Sequence, residues 1–349
     1  MDTILDDESL KNILDNPLWH LCRSNTENAM SNFWAYLMKS HGNNLEIILG
    51  EKANEYNGQV KEIRREKDHM DLQIIFDEAI VVIENKFKSL ADLKQIDSYK
   101  EKIKKKHSDN HYFYLITPTQ SDNTNNNNQG GYKILSYENV YQNIRNFLQT
   151  KGEDNLILQK YIELLENIVQ FWEKIKNNEN KYNLCLFWKK DREDDPQTAN
   201  DVDTLVEEKL YAFIAKNLAN RYQNELIAKE GINISQKIIQ ETDFSNSTPN
   251  MSWKVKDQND EYSEGVQIQN GQFRLFVMKE DKKGKIDEKD LENWIEKLYG
   301  NDRPTWDGRN SKTFCKFGTW FKYKYFNIGS KEALEENLKK VFNYWKSTK

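Results

Sequence analysis

The chain has 349 residues, enough for two compact domains, with 37% hydrophobic, 31% charged and 12% aromatic residues. Its net charge of −5 argues against a protein that coats nucleic acid without specificity, but leaves room for a local basic groove. No run approaches the roughly 20 apolar residues of a membrane span, and Cys22, Cys185 and Cys315 form no CxxC pair, so neither a zinc or iron–sulfur site nor a disulfide framework is expected. The opening MDTILDDESLKNILDN is acidic and lacks the apolar run of a signal peptide, so a reducing cytoplasm is the expected compartment.

In chain order, residues 24–39 (SNTENAMSNFWAYLMK) read as a helix with Ser24 as N-cap and Met30, Phe33, Trp34, Leu37 and Met38 on one face. Residues 59–66 (QVKEIRRE) read as a strand. The segments 70–76 (MDLQIIF) and 80–87 (IVVIENKF) are stronger strands separated by a short acidic turn. A helix follows over 90–106, with Leu93, Ile96 and Ile103 on its apolar face, then a strand over 111–117 stopped by Pro118. A hairpin followed by a helical crossover predicts a mixed sheet flanked by helices, an α/β fold. Residues 119–131 (TQSDNTNNNNQGG) read as a low-complexity loop, and 137–149 and 154–176 as helices.

The charged, Pro-containing stretch 189–200 reads as a linker between a domain over 1–188 and another over 201–349. A long amphipathic helix is expected over 201–228. Asn270-Gly271 between VQIQ and QFRLF predicts a tight hairpin within 264–278, setting Ile268 against Phe273 and Val266 against Leu275. A helix over 331–345 completes an α+β second domain. No internal repeat is present.

The hairpin at 70–87 carries the chemistry. With Asp77 and Glu78 as turn residues, Phe76 pairs with Ala79 and Asp71 falls opposite Glu84, with Cβ atoms roughly 4.5–5.5 Å apart. Alternation puts Glu84 and Lys86 on one face, away from Ile83, Asn85 and Phe87. Opposed like charges destabilise a hairpin, and a divalent cation is the natural compensation. Mg²⁺ is commonly held by one or two carboxylates plus a substrate phosphate. Two carboxylates, a lysine and a metal suffice for phosphodiester hydrolysis. The competing reading is a solvated polar face. Against it, AIVVI marks a buried strand that turns abruptly charged at its end.

Glu27 falls on the apolar stripe of the first helix and points toward the sheet. Ser24-x-x-Glu27 is also a capping box, and the two readings are compatible. In the helix after Lys86, Gln95 and Tyr99 share a face with Asp92, Lys102 and Lys106, beside the apolar stripe. Gln, Tyr and Lys can all hold a phosphate. The run Lys100, Lys102, Lys104, Lys105 and Lys106 reads equally as a solvated helix end.

These residues resemble the PD-(D/E)XK nuclease superfamily: Glu27 in the first helix, Asp71 in HMD, Glu84-Asn85-Lys86 in IENK, and Gln95-x-x-x-Tyr99, which looks like the QxxxY motif of its RecB-like branch. The resemblance covers roughly residues 20–145 and lies closest to uncharacterised bacterial members. It implies a restriction-endonuclease-like αβββαβ core and dependence on Mg²⁺ or Mn²⁺. By motif position Asp71 and Glu84 would be metal ligands, joined by the Asn85 carbonyl. Lys86 would position water or stabilise the transition state, and Glu27 would assist. Gln95 and Tyr99, with Lys102 and Lys106, would orient DNA. Met70 stands where the motif name has proline, and the cysteines of RecB-like iron–sulfur members are missing.

In the second half, TFCKFGTWFKYKYF (313–326) mixes aromatics with Lys316, Lys322 and Lys324. It reads either as a strand with an aromatic core face and a lysine face, or as a stacking surface for single-stranded nucleic acid. The resulting expectation is a metal-dependent nuclease acting on DNA, with RNA as an alternative substrate, and with a role in bacterial defence resting on the resemblance alone. A protein partner at the C-terminal domain and a homo-oligomer are compatible with it. The rival is a non-catalytic, nuclease-like module that docks nucleic acid or protein within a larger complex.

Overall fold

The computed structural model describes residues 4–56, 58–67, 70–87, 93–106, 110–118, 128–129, 132–152, 155–177, 196–211, 213–215, 218, 238–245, 248–256, 261–269, 271–281, 283–301, 304, 315–316, 318–328 and 330–348. The chain divides into two compact units, Met1–Asn178 and Glu179–Lys349.

The first unit opens with helices α1 (Glu8–Asp15) and α2 (Pro17–Cys22). Asp7 caps α1 through the Ser9 and Leu10 amides, and Asn16 caps α2 ahead of a proline at its first position. Next come α3 (Thr26–Ser40), α4 (Glu46–Leu49), strands β1 (Glu62–Lys67), β2 (Met70–Ile75) and β3 (Ala79–Asn85), helix α5 (Leu93–Lys106) and β4 (Asn110–Thr117). From α3 to β4 this is the expected αβββαβ order, with α4 as an addition. Two short strands, β5 (Asn128–Gln129) and β6 (Tyr132–Ser136), then lead into α6 (Tyr137–Lys151) and α7 (Leu156–Asn177). β5 pairs with β6, so part of the expected low-complexity loop is strand; 119–127 and 130–131 lie outside the described residues.

The sheet is mixed, in the order β1-β2-β3-β4-β6-β5. β3 pairs antiparallel with β2 and parallel with β4, because the α5 crossover returns the chain in the same direction. β3 is buried at every position, as a central strand covered on both faces should be. On one face Ile80 and Val82 pack with Phe113, Leu115 and Tyr132 against Tyr99 and Ile103 of α5. α3 lies on the opposite face, where its Trp34 ring meets Tyr137 at 6.0 Å. α1 runs along α7, tied by Asn16 Nδ2 donating to the Lys160 carbonyl at 2.9 Å and by Lys174 to Asp7 at 3.1 Å.

The second unit holds helix α8 (Pro196–Glu207), strands β7 (Ile238–Ser245), β8 (Thr248–Lys256), β9 (Tyr262–Gln269) and β10 (Gln272–Lys279), helix α9 (Glu288–Tyr299), β11 (Cys315–Lys316), β12 (Phe321–Asn327) and helix α10 (Lys331–Thr348). α8 starts five residues ahead of the expected 201, on a proline suited to a first helical position. It ends where Lys209 turns left-handed at φ 63°, so the expected 201–228 helix is interrupted; 219–228 lies outside the described residues. The sheet is antiparallel, ordered β11-β12-β10-β9-β8-β7. The β9–β10 hairpin has the expected register, Ile268 with Phe273 and Val266 with Leu275.

β12 inverts one expectation. Lys322 and Lys324 are 4% and 6% exposed, while Phe321, Tyr323 and Tyr325 on the alternate positions are half-buried. The lysines face α9, where Lys322 meets Glu288 at 2.8 Å and Lys324 pairs with Glu292. On the other face Phe276 stacks on Phe321 at 4.9 Å, and the Arg274 guanidinium lies 5.0 Å over the Tyr323 ring.

Phe276 occupies space that only a glycine leaves open. A Cβ at Gly265 would sit 2.1 Å from its ring. Gly265→Ala is therefore expected to destabilise the protein by about 2 kcal/mol in urea melts. Phe276→Leu in the same chain should recover part of that loss, and an unchanged melt for Gly265→Ala alone would contradict the packing.

Candidate active site

β2 and β3 set the geometry. Their ladder pairs Ile75 with Ile80 and Leu72 with Ile83, with Phe76 N–H donating to the Ala79 carbonyl at 2.9 Å. This is the register dictated by a turn at Asp77-Glu78. Asp71 and Glu84 come one step beyond Leu72–Ile83 on their two strands, and the Asp71 carboxyl feels the Glu84 charge. The Asn85 backbone N–H donates to Asp71 Oδ2 at 2.6 Å, fixing that end of the hairpin.

Glu84 is 2% exposed. Its Oε1 takes the Lys86 ammonium at 2.8 Å, while its Oε2 is buried without a hydrogen-bond partner. Both residues project to the face covered by α5. Burial, and then the charge of Glu84, push the Asp71 carboxyl up to about 7, against the pull of the Asn85 N–H and Lys86. Burial also raises Glu84, with Lys86 pulling the other way. Burial alone would lower Lys86, but Glu84, Glu27 and Asp71 together hold it above the ordinary lysine value.

Glu27 stands on the first turn of α3, and Asp71, Glu84 and Lys86 all feel its charge. The capping box with Ser24 does not form. α3 begins at Thr26 with Asn25 as N-cap and no side-chain cap, and the Thr26 hydroxyl donates back to the carbonyls of Cys22 and Arg23. Among the described residues, no group of three or more carboxylate, imidazole or thiolate side chains is placed to enclose one ion. Asp71 and Glu84 are the close pair.

The α5 residues separate. Tyr99 is 6% exposed and sits in the core with Ile103 and Tyr132, not on a polar face beside the stripe. Lys102 is exposed, its ammonium 5.6 Å from the Tyr99 ring centre. The side chains of Gln95 and Lys106, and the whole of Asp92, lie outside the described residues. Lys100 is half-buried, with its ammonium over the Tyr132 and Phe113 rings at 5.3 and 5.7 Å.

Two further residues come from later in the chain. The Tyr137 hydroxyl donates to Asn85 Oδ1 at 2.7 Å. Tyr132 is fully buried, its hydroxyl has no partner, and burial followed by the charge of Glu84 raises its pKa. The available signal for Tyr137 was Asn85 itself, a polar residue on the apolar side of a buried strand, which needs partners.

Residues 23–186 match the model of a family described as the PD-(D/E)XK nuclease superfamily. No curated protein and no solved structure matches the chain. Among the described residues no helix is long and apolar enough to cross a membrane.

Proposed function

We propose that this chain, whose residues 23–186 match the model of the PD-(D/E)XK nuclease superfamily, hydrolyses phosphodiester bonds of nucleic acid, DNA foremost, with a divalent cation held by Asp71 and Glu84. The observation that carries this reading is Glu84 Oε2, a buried carboxylate oxygen with no hydrogen-bond partner, beside a second carboxylate whose pKa burial and Glu84 have raised. A buried acceptor is rarely left unsatisfied, and a cation would complete it. The donors are hard oxygens with no imidazole or thiolate among them, which suits Mg²⁺ or Mn²⁺ over zinc.

When bound, such an ion polarises the scissile phosphate and acidifies a water. The chain's own residues supply the rest. Lys86 stays protonated at neutral pH because Glu84 holds it, and it places positive charge where the phosphate oxygens gain negative charge. The Asn85 carbonyl is the third candidate ligand, and Glu27 can accept a proton from water at the edge of the pair. Lys102, with Gln95 and Lys106 on the same helix, would meet the phosphate backbone. Tyr99, being buried, would support α5 rather than touch substrate. By the resemblance, the setting is defence against foreign DNA.

Incubation with plasmid, linear duplex, single-stranded DNA and RNA in Mg²⁺, Mn²⁺ or EDTA tests this. Cleavage of DNA with either ion and none in EDTA is expected. If every substrate survives while DNA still shifts in a gel, the non-catalytic binding module replaces the enzyme.

A further inference from the structure

We propose that Asn85 and Tyr137 act as a positioning pair that holds Glu27, Asp71 and Lys86 in one frame, a role whose catalytic meaning rests on the nuclease reading above. Asn85 lies between Glu84 and Lys86. Strand alternation therefore sends its side chain to the opposite face of the sheet, where it is 1% exposed. Its amide group, and with it the Tyr137 hydroxyl, therefore lies on the other face from the Glu84–Lys86 pair.

Three hydrogen bonds converge on this residue. Its backbone N–H donates to Asp71 Oδ2 at 2.6 Å. Its Nδ2 donates to the Glu27 backbone carbonyl at 3.0 Å. Its Oδ1 accepts from the Tyr137 hydroxyl at 2.7 Å. One side chain thus links the strand of Glu84 and Lys86 to α3 and α6, while its own amide holds the aspartate. A neutral carboxamide is suited to this, because it donates to a carbonyl and accepts from a hydroxyl at once. An aspartate there would lose the donor and add a negative charge beside Asp71, Glu84 and Glu27.

Tyr137 is itself fixed. It is the first residue of α6, next to the N-cap Ser136, whose hydroxyl accepts from the Asn139 N–H at 3.1 Å while Asn139 Oδ1 accepts from the Ser136 N–H at 3.1 Å. Its ring packs against Trp34 at 6.0 Å and Phe87 at 5.3 Å, with Trp19 behind Phe87 at 6.3 Å. This aromatic wall keeps water from the Asn85 side chain, so its hydrogen bonds are strong and expensive to leave unmade.

Hydrogen–deuterium exchange on the metal-free full chain tests the pair without relying on activity. Tyr137→Phe keeps the ring and removes only the hydroxyl, while Asn85→Ala removes the hub. Each is expected to speed exchange by about tenfold in peptides covering 26–31 and 84–86. The double variant should go no further than Asn85→Ala, since both act through one residue. Changes confined to α6, or effects that add in the double variant, would overturn the proposal. Should Asn85→Ala fail to fold, the distribution of the change in Tyr137→Phe decides alone. On whichever nucleic acid the wild type cuts, Tyr137→Phe should lower kcat about tenfold at unchanged KM; an unchanged kcat removes the catalytic role. A wild type that cuts nothing refutes the nuclease reading, and the exchange result still decides the pair.

Discussion

Asp71→Asn is expected to make the metal-free protein more stable at pH 8 while abolishing cleavage. Burial and Glu84 raise the Asp71 carboxyl from its ordinary 3.8 to about 7. The native state therefore holds a proton that the unfolded chain has released over that interval. For an acid raised in this way, the stabilising contribution is full below pH 4 and is lost as pH rises through about 7. At pH 8 wild type keeps a charged Asp71 in a largely buried place beside Glu84, at a cost of about 2 kcal/mol after allowing for water at its partly exposed side. Asparagine removes the charge and can still accept the Asn85 N–H. In EDTA, thermal melting should show Asp71→Asn above wild type at pH 8 and close to it at pH 4. Adding Mn²⁺ should raise the wild-type midpoint and leave the variant unmoved, since an ion stabilises only a state that binds it. A variant less stable than wild type at pH 8 would sink this account of the site.

Lys86→Ala should act in two separable ways. Cleavage should fall by about 10²–10³, the usual cost of removing one preorganised transition-state charge. Stability should also fall by about 3 kcal/mol, because the change leaves Glu84 buried without its cation. Pairing Glu84→Gln with Lys86→Met takes out both charges and should bring stability back to within about 1 kcal/mol of wild type. Cleavage should remain absent. Urea melts and single-turnover assays separate the two effects. If the single variant cuts like wild type, or the double variant cuts at all, Lys86 and Glu84 lose their assigned roles.

The legible parts of this protein are those fixed by short-range geometry. A turn at Asp77-Glu78 allows one pairing, so the approach of Asp71 to Glu84 can be read from the sequence, and Asn270-Gly271 fixes Ile268 against Phe273 in the same way. The αβββαβ order from α3 to β4 follows from periodicity, while α4 and the β5–β6 pair do not. Alternation says which residues share a face but not which face is covered. That is why β12 could be resolved into lysines and aromatics, yet its buried side was the lysine side. Tyr99 fails for a related reason: a tyrosine at a stripe's edge can be drawn into the core by neighbours such as Tyr132, which a helical wheel does not include. The Tyr137–Asn85 bond spans 52 residues, and no local pattern announces it. The two N-terminal helices were not expected from the sequence; in the structure Asp7 and Asn16 cap them.

The buried lysines of β12 also decide how the molecule presents itself to a polyanion at a distance. Lys322 and Lys324 are neutralised by glutamates of α9, so they hold no loose counterion atmosphere to surrender. A segment that looks basic on paper is electrically quiet. The exposed ammonium groups of α5, Lys102, Lys104 and Lys105, are the kind that can exchange counterions for phosphates. Set against an overall charge of −5, their attraction reaches only about a Debye length, ~8 Å at physiological ionic strength. Nucleic acid arriving in dilute salt and in cellular salt would therefore meet two rather different proteins, and the difference would be made at α5, not at β12.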